Sequence, residues 1–167
     1  MTHAPQTLDH AGIAQRVPHA GAMCLLDSLQ RWDADEIECR IANHAEATHP
    51  LRAFDRGADL GLPAPNAIEY AAQAMALHAS LNAAEGARPT PGFLASARDV
   101  QLHVARLDTA AGPLRVRATR QAGDERQAMY RFALHDATGA TLVEGRATVV
   151  LNTPLPSPAA PSRADRP

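Results

Sequence analysis

The sequence predicts an α+β domain in which one long helix packs against one face of an antiparallel sheet. First, residues 63–86 are rich in alanine, the best helix former, and carry no charged side chain between Glu69 and Glu85. Second, segments of alternating apolar and polar residues lie on both sides of this helix. Third, the segments after the helix follow one another as a run of four antiparallel strands. A helix placed between two runs of strands is typical of this fold class.

The long helix is predicted to begin at Asn66, which can cap it, and Glu69 follows three residues later, as in a capping box. Gly86 is a natural end for the helix. One face is predicted to consist of Ile68, Ala71, Ala72, Met75, Ala76 and Ala79. Because these side chains are small, we expect other backbone to approach closely, as in a sheet wrapped around a buried helix.

The other elements are predicted from alternation and from turn residues. Before the long helix we expect a short helix at residues 9–17, capped by Asp9, and a long loop at residues 44–61. Strands are predicted at residues 23–29, 36–42, 92–104, 114–120, 128–135 and 141–151, and turns at 32–35, 123–124 and 136–140. The strand at residues 92–104 is long enough to contain a bulge.

Length and composition indicate one globular domain. The 167 residues are 46% apolar and 20% charged. We expect a flexible N-terminus at residues 1–12, a folded domain at 13–151 and a disordered proline-rich tail at 152–167. A net charge of −2 and an aromatic content of 4% argue against a nucleic-acid or anionic-membrane partner. Cys24 and Cys39 form no disulfide framework, and no signal peptide or membrane span is visible, so a cytoplasmic protein is expected.

Three motifs resemble those of small 3-hydroxyacyl-ACP dehydratases. They are PHAGAMCLLD at residues 18–27, PNAIEYAAQAM at 65–75 and GFLASARDVQL at 92–102. The likeness is strongest to the ApeP-like proteins of aryl polyene clusters and weaker to the FabZ-type enzymes of fatty acid synthesis. The resemblance implies the hotdog fold, in which a curved antiparallel sheet wraps around a long central helix. The order of the predicted elements agrees with that fold.

The resemblance also implies a catalytic pair. In the family, a histidine on the loop before the helix acts as acid and base beside a carboxylate on the first turn of the helix. By position, these residues are His49 and Glu69. The FabZ-type His-Phe-Pro-Gly motif is His49-Pro50-Leu51-Arg52 here, and the additional residues before the helix lie at 54–61. An imidazole with a pKa near 6.5 can take up a proton and return it to a leaving hydroxyl.

Further residues are expected to bind the substrate. Backbone N–H groups at Asn66, Ala67 and Ile68 are predicted to polarise the thioester carbonyl as enolate charge develops. Tyr70 is expected at the rim of the pocket, and Arg52 is predicted to contact the acyl carrier. This chemistry requires no metal and no cofactor.

Other roles for the candidate residues remain open. Glu69 is also explained as a capping residue, and His44 is a second candidate for the loop base. His19, although it lies in a matched motif, is interpreted as a turn residue that bonds to backbone. His78 lies within the long helix and is interpreted as structural.

Three functions are compatible with the sequence. The first is a 3-hydroxyacyl-thioester dehydratase acting on an acyl-ACP or acyl-CoA. The second is an acyl thioesterase of the same fold, in which Glu69 activates water. The third is a non-catalytic hotdog subunit that stabilises an active dehydratase. The fold implies a homodimer, or a heterodimer with another hotdog protein, with His49 and Glu69 meeting across the interface.

Overall fold

A computed structural model describes residues 6–83, 92–124 and 126–151 and confirms the predicted α+β arrangement. The elements are α1 (His10–Ala14), β1 (Ser28–Trp32), β2 (Glu36–Ile41), β3 (Ala53–Asp55), β4 (Ala58–Gly61), α2 (Ala67–Asn82), β5 (Gly92–Leu102), β6 (Leu114–Gly123), β7 (Gln127–His135) and β8 (Thr141–Leu151). Six strands form an antiparallel sheet in the order β1-β2-β6-β7-β8-β5, and α2 packs against it. Among the described residues, no helix is long and apolar enough to cross a bilayer.

Helix α2 is shorter than predicted and buries a different face. It starts after a 3₁₀ turn at Ala64–Asn66, and the predicted stop at Gly86 lies outside the described residues. The buried positions are Ala67, Tyr70, Ala71, Gln73, Ala74, Met75, Leu77, His78 and Leu81. Four predicted core positions, Ile68, Ala72, Ala76 and Ala79, are only half-buried. The alanine-rich segment has little apolar contrast between its faces, and the polar side chains of Gln73 and His78 turn inward because they find hydrogen-bond partners.

Asn66 does not cap α2, contrary to the prediction. Its backbone dihedral angles are helical, φ −64° and ψ −11°, because the 3₁₀ turn runs directly into the helix. Its side-chain amide donates instead to the carbonyl oxygen of Leu51 at 3.1 Å. Asn66 therefore forms no capping box with Glu69 and ties the start of α2 to the preceding segment.

The strands that follow α2 are confirmed with small changes at their ends. Strands β6, β7 and β8 pair in sequence order, and the turn predicted at residues 136–140 closes with the Asp136 N–H donating to Ala140 at 3.0 Å. Strand β5 pairs with β8 and has register irregularities at residues 94–96 and 98–101, as its length suggested. Strand β2, also confirmed, pairs with β6 at the centre of the sheet.

The N-terminal third departs from the prediction. A strand was expected at residues 23–29, but Gly21–Met23 is a 3₁₀ turn and β1 begins only at Ser28. Residues 24–26 are buried without joining the sheet, so burial rather than pairing explains their apolar character. Asp9 caps α1 as predicted, accepting the Gly12 N–H at 2.8 Å. The Leu8 carbonyl accepts a backbone hydrogen bond from Leu29 of β1, and the flexible N-terminus expected through residue 12 stays a prediction.

The predicted loop at residues 44–61 ends in a β-hairpin, which the prediction missed. Strands β3 and β4 pair antiparallel, and both turn residues, Arg56 and Gly57, have positive φ, 47° and 87°. At the base of the hairpin, the Arg52 guanidinium contacts Asp59 at 2.6 Å and Asp108 at 3.5 Å. These ion pairs fix the hairpin to the segment before β6. The additional residues at 54–61 are therefore anchored to the rest of the domain through Arg52.

The C-terminal half of α2 is held by a buried polar bridge at His78. The Asp33 carbonyl can only accept, so the His78 Nε2–H donates to it at 2.8 Å. The Tyr130 hydroxyl then donates to Nδ1 at 2.9 Å. Burial lowers the pKa of His78 and raises the pKa of Tyr130 to about 12. The structural role predicted for His78 agrees with these contacts, which join α2 to β7 and to the turn after β1.

We predict that His78→Leu lowers the free energy of unfolding by about 1–3 kcal/mol, because it leaves the buried Tyr130 hydroxyl without its partner and removes the donor to the Asp33 carbonyl. Urea denaturation followed by circular dichroism measures this change. His103→Leu is the control, because His103 is exposed, and it is expected to change stability by less than about 0.5 kcal/mol. Equal effects of the two substitutions would contradict the prediction.

The same bridge predicts a pH dependence of stability. Because the folded-state pKa of His78 is lowered, the unfolded chain binds the proton first when the pH falls below the ordinary value of about 6.5. The free energy of unfolding is therefore expected to decrease from pH 7 to pH 5. Denaturation at both pH values should show a smaller decrease for His78→Leu than for the wild type, and an unchanged decrease would refute the assignment.

Candidate active site

His49 is buried at the end of two tight turns beside the start of α2. Its side chain is held by two neighbours: the Leu51 N–H donates to Nδ1 at 3.2 Å, and Nε2 lies 2.8 Å from the Tyr70 hydroxyl oxygen. The Leu51 carbonyl in turn accepts from Asn66. These contacts lock the His49 segment onto the first turns of α2.

The two hydrogen bonds fix the tautomer of His49. A backbone N–H can only donate, so Nδ1 must carry a lone pair, and the proton of the neutral ring resides on Nε2. The Nε2–H therefore donates to the Tyr70 oxygen. In this arrangement both ring nitrogens are already bonded within the chain, and neutral His49 is prepared to give a proton rather than to accept one.

Burial dominates the electrostatics of this pair. Desolvation lowers the pKa of His49, which favours the neutral ring, although the charge of Glu46 acts in the opposite direction. Desolvation also raises the pKa of Tyr70, which is fully buried, so its phenol stays protonated. The pair is therefore neutral, with a proton on each partner.

Glu69 belongs to a second, more exposed group of polar side chains. Its Oε1 lies 3.1 Å from His19 Nε2 and 3.0 Å from the Gln73 side-chain nitrogen. The hydrogen bond from His19 is the largest influence on Glu69 and lowers its pKa, while burial opposes the shift and the Gln73 bond adds to it. Glu69 is thus held as a carboxylate.

Gln73 explains why this group is well defined. It is fully buried, its side-chain oxygen accepts the Leu25 N–H at 2.9 Å, and its amide donates to the Met23 carbonyl at 2.7 Å. The same amide reaches Glu69, one helical turn away. Gln73 therefore joins the buried segment before β1 to the N-terminal half of α2.

The structure does not join the two predicted catalytic residues within one chain. His49 is bonded to Tyr70, and Glu69 is bonded to His19. Because neighbouring residues of a helix point about 100° apart, Glu69 and Tyr70 hold these partners on different sides of α2. The catalytic assignment of His49 and Glu69, and their meeting across a subunit interface, stay predictions.

The predicted substrate contacts are already engaged in the isolated chain. The Asn66 N–H bonds to Pro63, and the Ala67 N–H bonds to the carbonyls of the preceding 3₁₀ turn. Arg52 is 8% exposed at its side chain and is paired with Asp59 and Asp108, which supports the hairpin base. The substrate-binding roles of Asn66, Ala67, Ile68, Tyr70 and Arg52 also stay predictions.

Two residues of the site were not singled out correctly from the sequence. His19 was interpreted as a turn residue bonded to backbone, but its side chain contacts Glu69. Gln73 was not considered, although its position four residues after Glu69 on a helix was a usable signal. In the described part of the chain, no three His, Cys, Asp or Glu side chains gather as metal ligands would.

Comparison with known families adds to this geometry. The profile of the ApeP-like family, described as ApeP dehydratase, matches residues 11–157. The chain belongs to the ApeP-like dehydratase family. The match includes the motifs that contain His19 and Glu69, and it confirms the family resemblance seen in the sequence. No curated protein sequence matches this ApeP-like chain significantly.

Solved structures place this ApeP-like chain in the hotdog fold, as predicted. It is 22% identical to a chain of the dehydratase heterocomplex ApeI:P from Xenorhabdus doucetiae, with a TM-score of 0.67 over 83% of this chain and 90% of that chain. It is 13% identical to thioesterase HI1161 from Haemophilus influenzae, with a TM-score of 0.60 over 90% and 94% of the two chains. The PaaI protein of the E. coli phenylacetic acid degradation operon is 10% identical, with a TM-score of 0.54 over 84% and 88%.

The tautomer of His49 in this ApeP-like chain is directly measurable. We predict that long-range ¹H–¹⁵N correlation spectra near pH 7.5 show the proton on Nε2 and a lone pair on Nδ1, because the Leu51 N–H occupies Nδ1. His49→Gln identifies the signal by its loss. Tyr70→Phe should leave the tautomer unchanged, since the Leu51 contact remains. A proton on Nδ1 in the wild type would contradict the arrangement.

Proposed function

We propose that this protein is a 3-hydroxyacyl-thioester dehydratase, with the acyl group carried by ACP or coenzyme A. Family membership supports a dehydratase. The observation that carries the finer proposal is that α2 holds an ionised Glu69 on its first turn, while the next residue, Tyr70, bonds the neutral His49 on another side of the helix. A carboxylate that accepts and an imidazole that donates are the two groups that removal of water needs.

The proposed reaction is an elimination. The bond between C2 and its proton breaks, its electron pair forms the C2–C3 double bond, and the C3 oxygen leaves with a proton as water. Glu69, as a carboxylate, accepts the C2 proton. The His49 Nε2–H, acting directly or through the Tyr70 hydroxyl, donates a hydrogen bond to the oxygen as its bond to C3 breaks. The proton that Glu69 took from C2 passes to this oxygen, which leaves as water, and Glu69 is again a carboxylate.

We propose that these groups belong to one site shared by two subunits. We also propose that the protein acts in the cytoplasm. Within one chain, His49 and Glu69 are each bonded to other residues, so a second hotdog subunit is needed to place a donor opposite an acceptor. That subunit is a second copy of this chain or a related protein. The dehydratase heterocomplex ApeI:P, which this chain resembles in fold, supports a related partner.

A second candidate function is a non-catalytic subunit of a dehydratase complex. It is favoured by the burial of His49, which is 5% exposed and has both nitrogens bonded within its own chain. In that case the partner supplies the reacting groups, and this chain supplies the opposite wall of the pocket. The thioesterase alternative requires Glu69 to activate water at the thioester carbonyl, and His49 would then be dispensable.

The dehydratase proposal is tested in the hydration direction. We expect the wild type to consume crotonyl-CoA or octenoyl-CoA, followed by loss of enoyl absorbance. Glu69→Gln and His49→Gln should each lower kcat/KM roughly 10²- to 10⁴-fold, as expected for loss of a general acid or base. Glu144→Gln and His103→Gln are matched controls, because these residues form an exposed His–Glu pair at 3.2 Å, and they should retain activity.

Three outcomes would contradict the assignment in different ways. Hydration that survives both site substitutions would mean that other residues perform the chemistry. Release of free thiol without hydration would establish the thioesterase. No activity for the protein alone, together with a copurified hotdog protein whose complex with this chain keeps its activity after Glu69→Gln and after His49→Gln, would establish the non-catalytic subunit.

A further inference from the structure

We propose that His19 is a positioning residue that fixes the Glu69 carboxylate through Oε1 and reserves Oε2 for the reacting substrate. This role deepens the dehydratase function proposed above and rests on it. His19 is contributed by the segment between α1 and β1, whereas Glu69 lies on α2, so the contact joins two separate parts of the chain.

The first argument is the convergence of donors on one oxygen. His19 Nε2 and the Gln73 amide approach Glu69 Oε1 at 3.1 Å and 3.0 Å. Within residues 6–83, 92–124 and 126–151, nothing donates to Oε2. The Glu69 side chain is 32% exposed, so the carboxylate combines one anchored oxygen with another whose lone pairs are available.

The second argument is that neither donor can reverse its role. The orientation of the Gln73 amide is fixed, because its oxygen must accept the Leu25 N–H and its nitrogen must donate to the Met23 carbonyl. The nitrogen that faces Glu69 is therefore a donor. At His19, a lone pair on Nε2 would repel the carboxylate, so Nε2 carries the proton whether the ring is neutral or charged.

The third argument concerns what His19 does not contact. Its Nδ1 is buried and has no hydrogen-bond partner among the described residues. The backbone contacts expected of a turn histidine are therefore not made by this ring, and Glu69 is the group that sets its tautomer. The hydrogen bond from Nε2 to Glu69 is therefore the contact that holds the His19 ring, although its buried Nδ1 stays unpaired at a cost in free energy.

Electrostatics agrees with this geometry. The His19 hydrogen bond is the main cause of the lowered pKa of Glu69, the charge of His19 adds to it, and burial of the carboxylate acts in the opposite direction. His19 is the titratable group that faces Glu69 from the neighbouring segment, and Gln73 is the neutral group on its own helix. Without His19, burial would prevail and Glu69 would hold its proton to a higher pH.

The test compares two substitutions of His19. His19→Gln keeps an N–H donor, whereas His19→Leu removes it and keeps a similar volume. Protein labelled with ¹³C-glutamate reports the titration of the Glu69 carboxyl, which Glu69→Gln identifies by loss of its signal. We expect His19→Leu to move this titration to higher pH by about one unit, a tenfold change in proton affinity. His19→Gln should leave it near the wild-type value.

The control is His103→Leu, which removes the histidine of the exposed His103–Glu144 pair at 3.2 Å and should leave the Glu69 titration unchanged. Circular dichroism confirms folding of each variant, and His19→Ala replaces His19→Leu if the leucine variant does not fold. An unshifted Glu69 titration after loss of the His19 donor overturns the proposal. Equal shifts for His19→Gln and His19→Leu also overturn it, because the donor would then be irrelevant.

The pH dependence of kcat/KM for enoyl-thioester hydration separates this inference from the proposed function. We expect the acid limb to move to higher pH in His19→Leu, by the same amount as the carboxyl titration, while the plateau changes only a few-fold. A carboxyl shift in a protein that hydrates no enoyl thioester would refute the dehydratase and leave the His19 contact established. A plateau lost to the same extent in His19→Gln and His19→Leu would show a catalytic or structural role and overturn positioning.

Discussion

Burial of a nearly uncharged helix against one face of a sheet is the constraint on which the rest of this structure depends. Polar side chains that turn inward from α2 lose water, so each must find a partner in the protein. Tyr70, Gln73 and His78 do so, and each bonds to a different part of the chain: the His49 segment, the segment before β1, and β7 with the turn after β1. These three polar residues of the helix thereby position the segments to which they bond.

The same constraint shapes the candidate site. Two neighbouring residues of α2, Glu69 and Tyr70, point to different sides and collect different partners. One partnership is half-exposed and keeps a carboxylate ionised, and the other is buried and keeps an imidazole neutral. An acceptor and a donor of protons are thus prepared separately by differences in burial and hydrogen bonding, rather than by direct contact with each other.

The sequence predicted the class of fold and most of the sheet, because β2, β6 and β7 alternate between apolar and polar residues along much of their length. It failed where periodicity carries little information. Residues 24–26 are buried outside any strand, and the alanines of α2 do not distinguish one face from another. The hairpin β3–β4 depends on the positive φ of Arg56 and Gly57 and on ion pairs with the distant Asp108, neither of which periodicity reports.

The sequence indicated individual residues of the candidate site, but it did not indicate which of them bond to one another. Position and family resemblance indicated His49 and Glu69, whereas the contacts of His19 and Gln73 depend on how a loop some 50 residues away packs on α2. The pairing in turn constrains any partner subunit. Glu69 retains an oxygen to which nothing in the described chain donates, while both nitrogens of His49 are bonded. A partner or substrate can therefore bond to the Glu69 carboxylate without displacing another group. To reach the His49 imidazole, it must displace Tyr70 or bond to the Tyr70 hydroxyl instead.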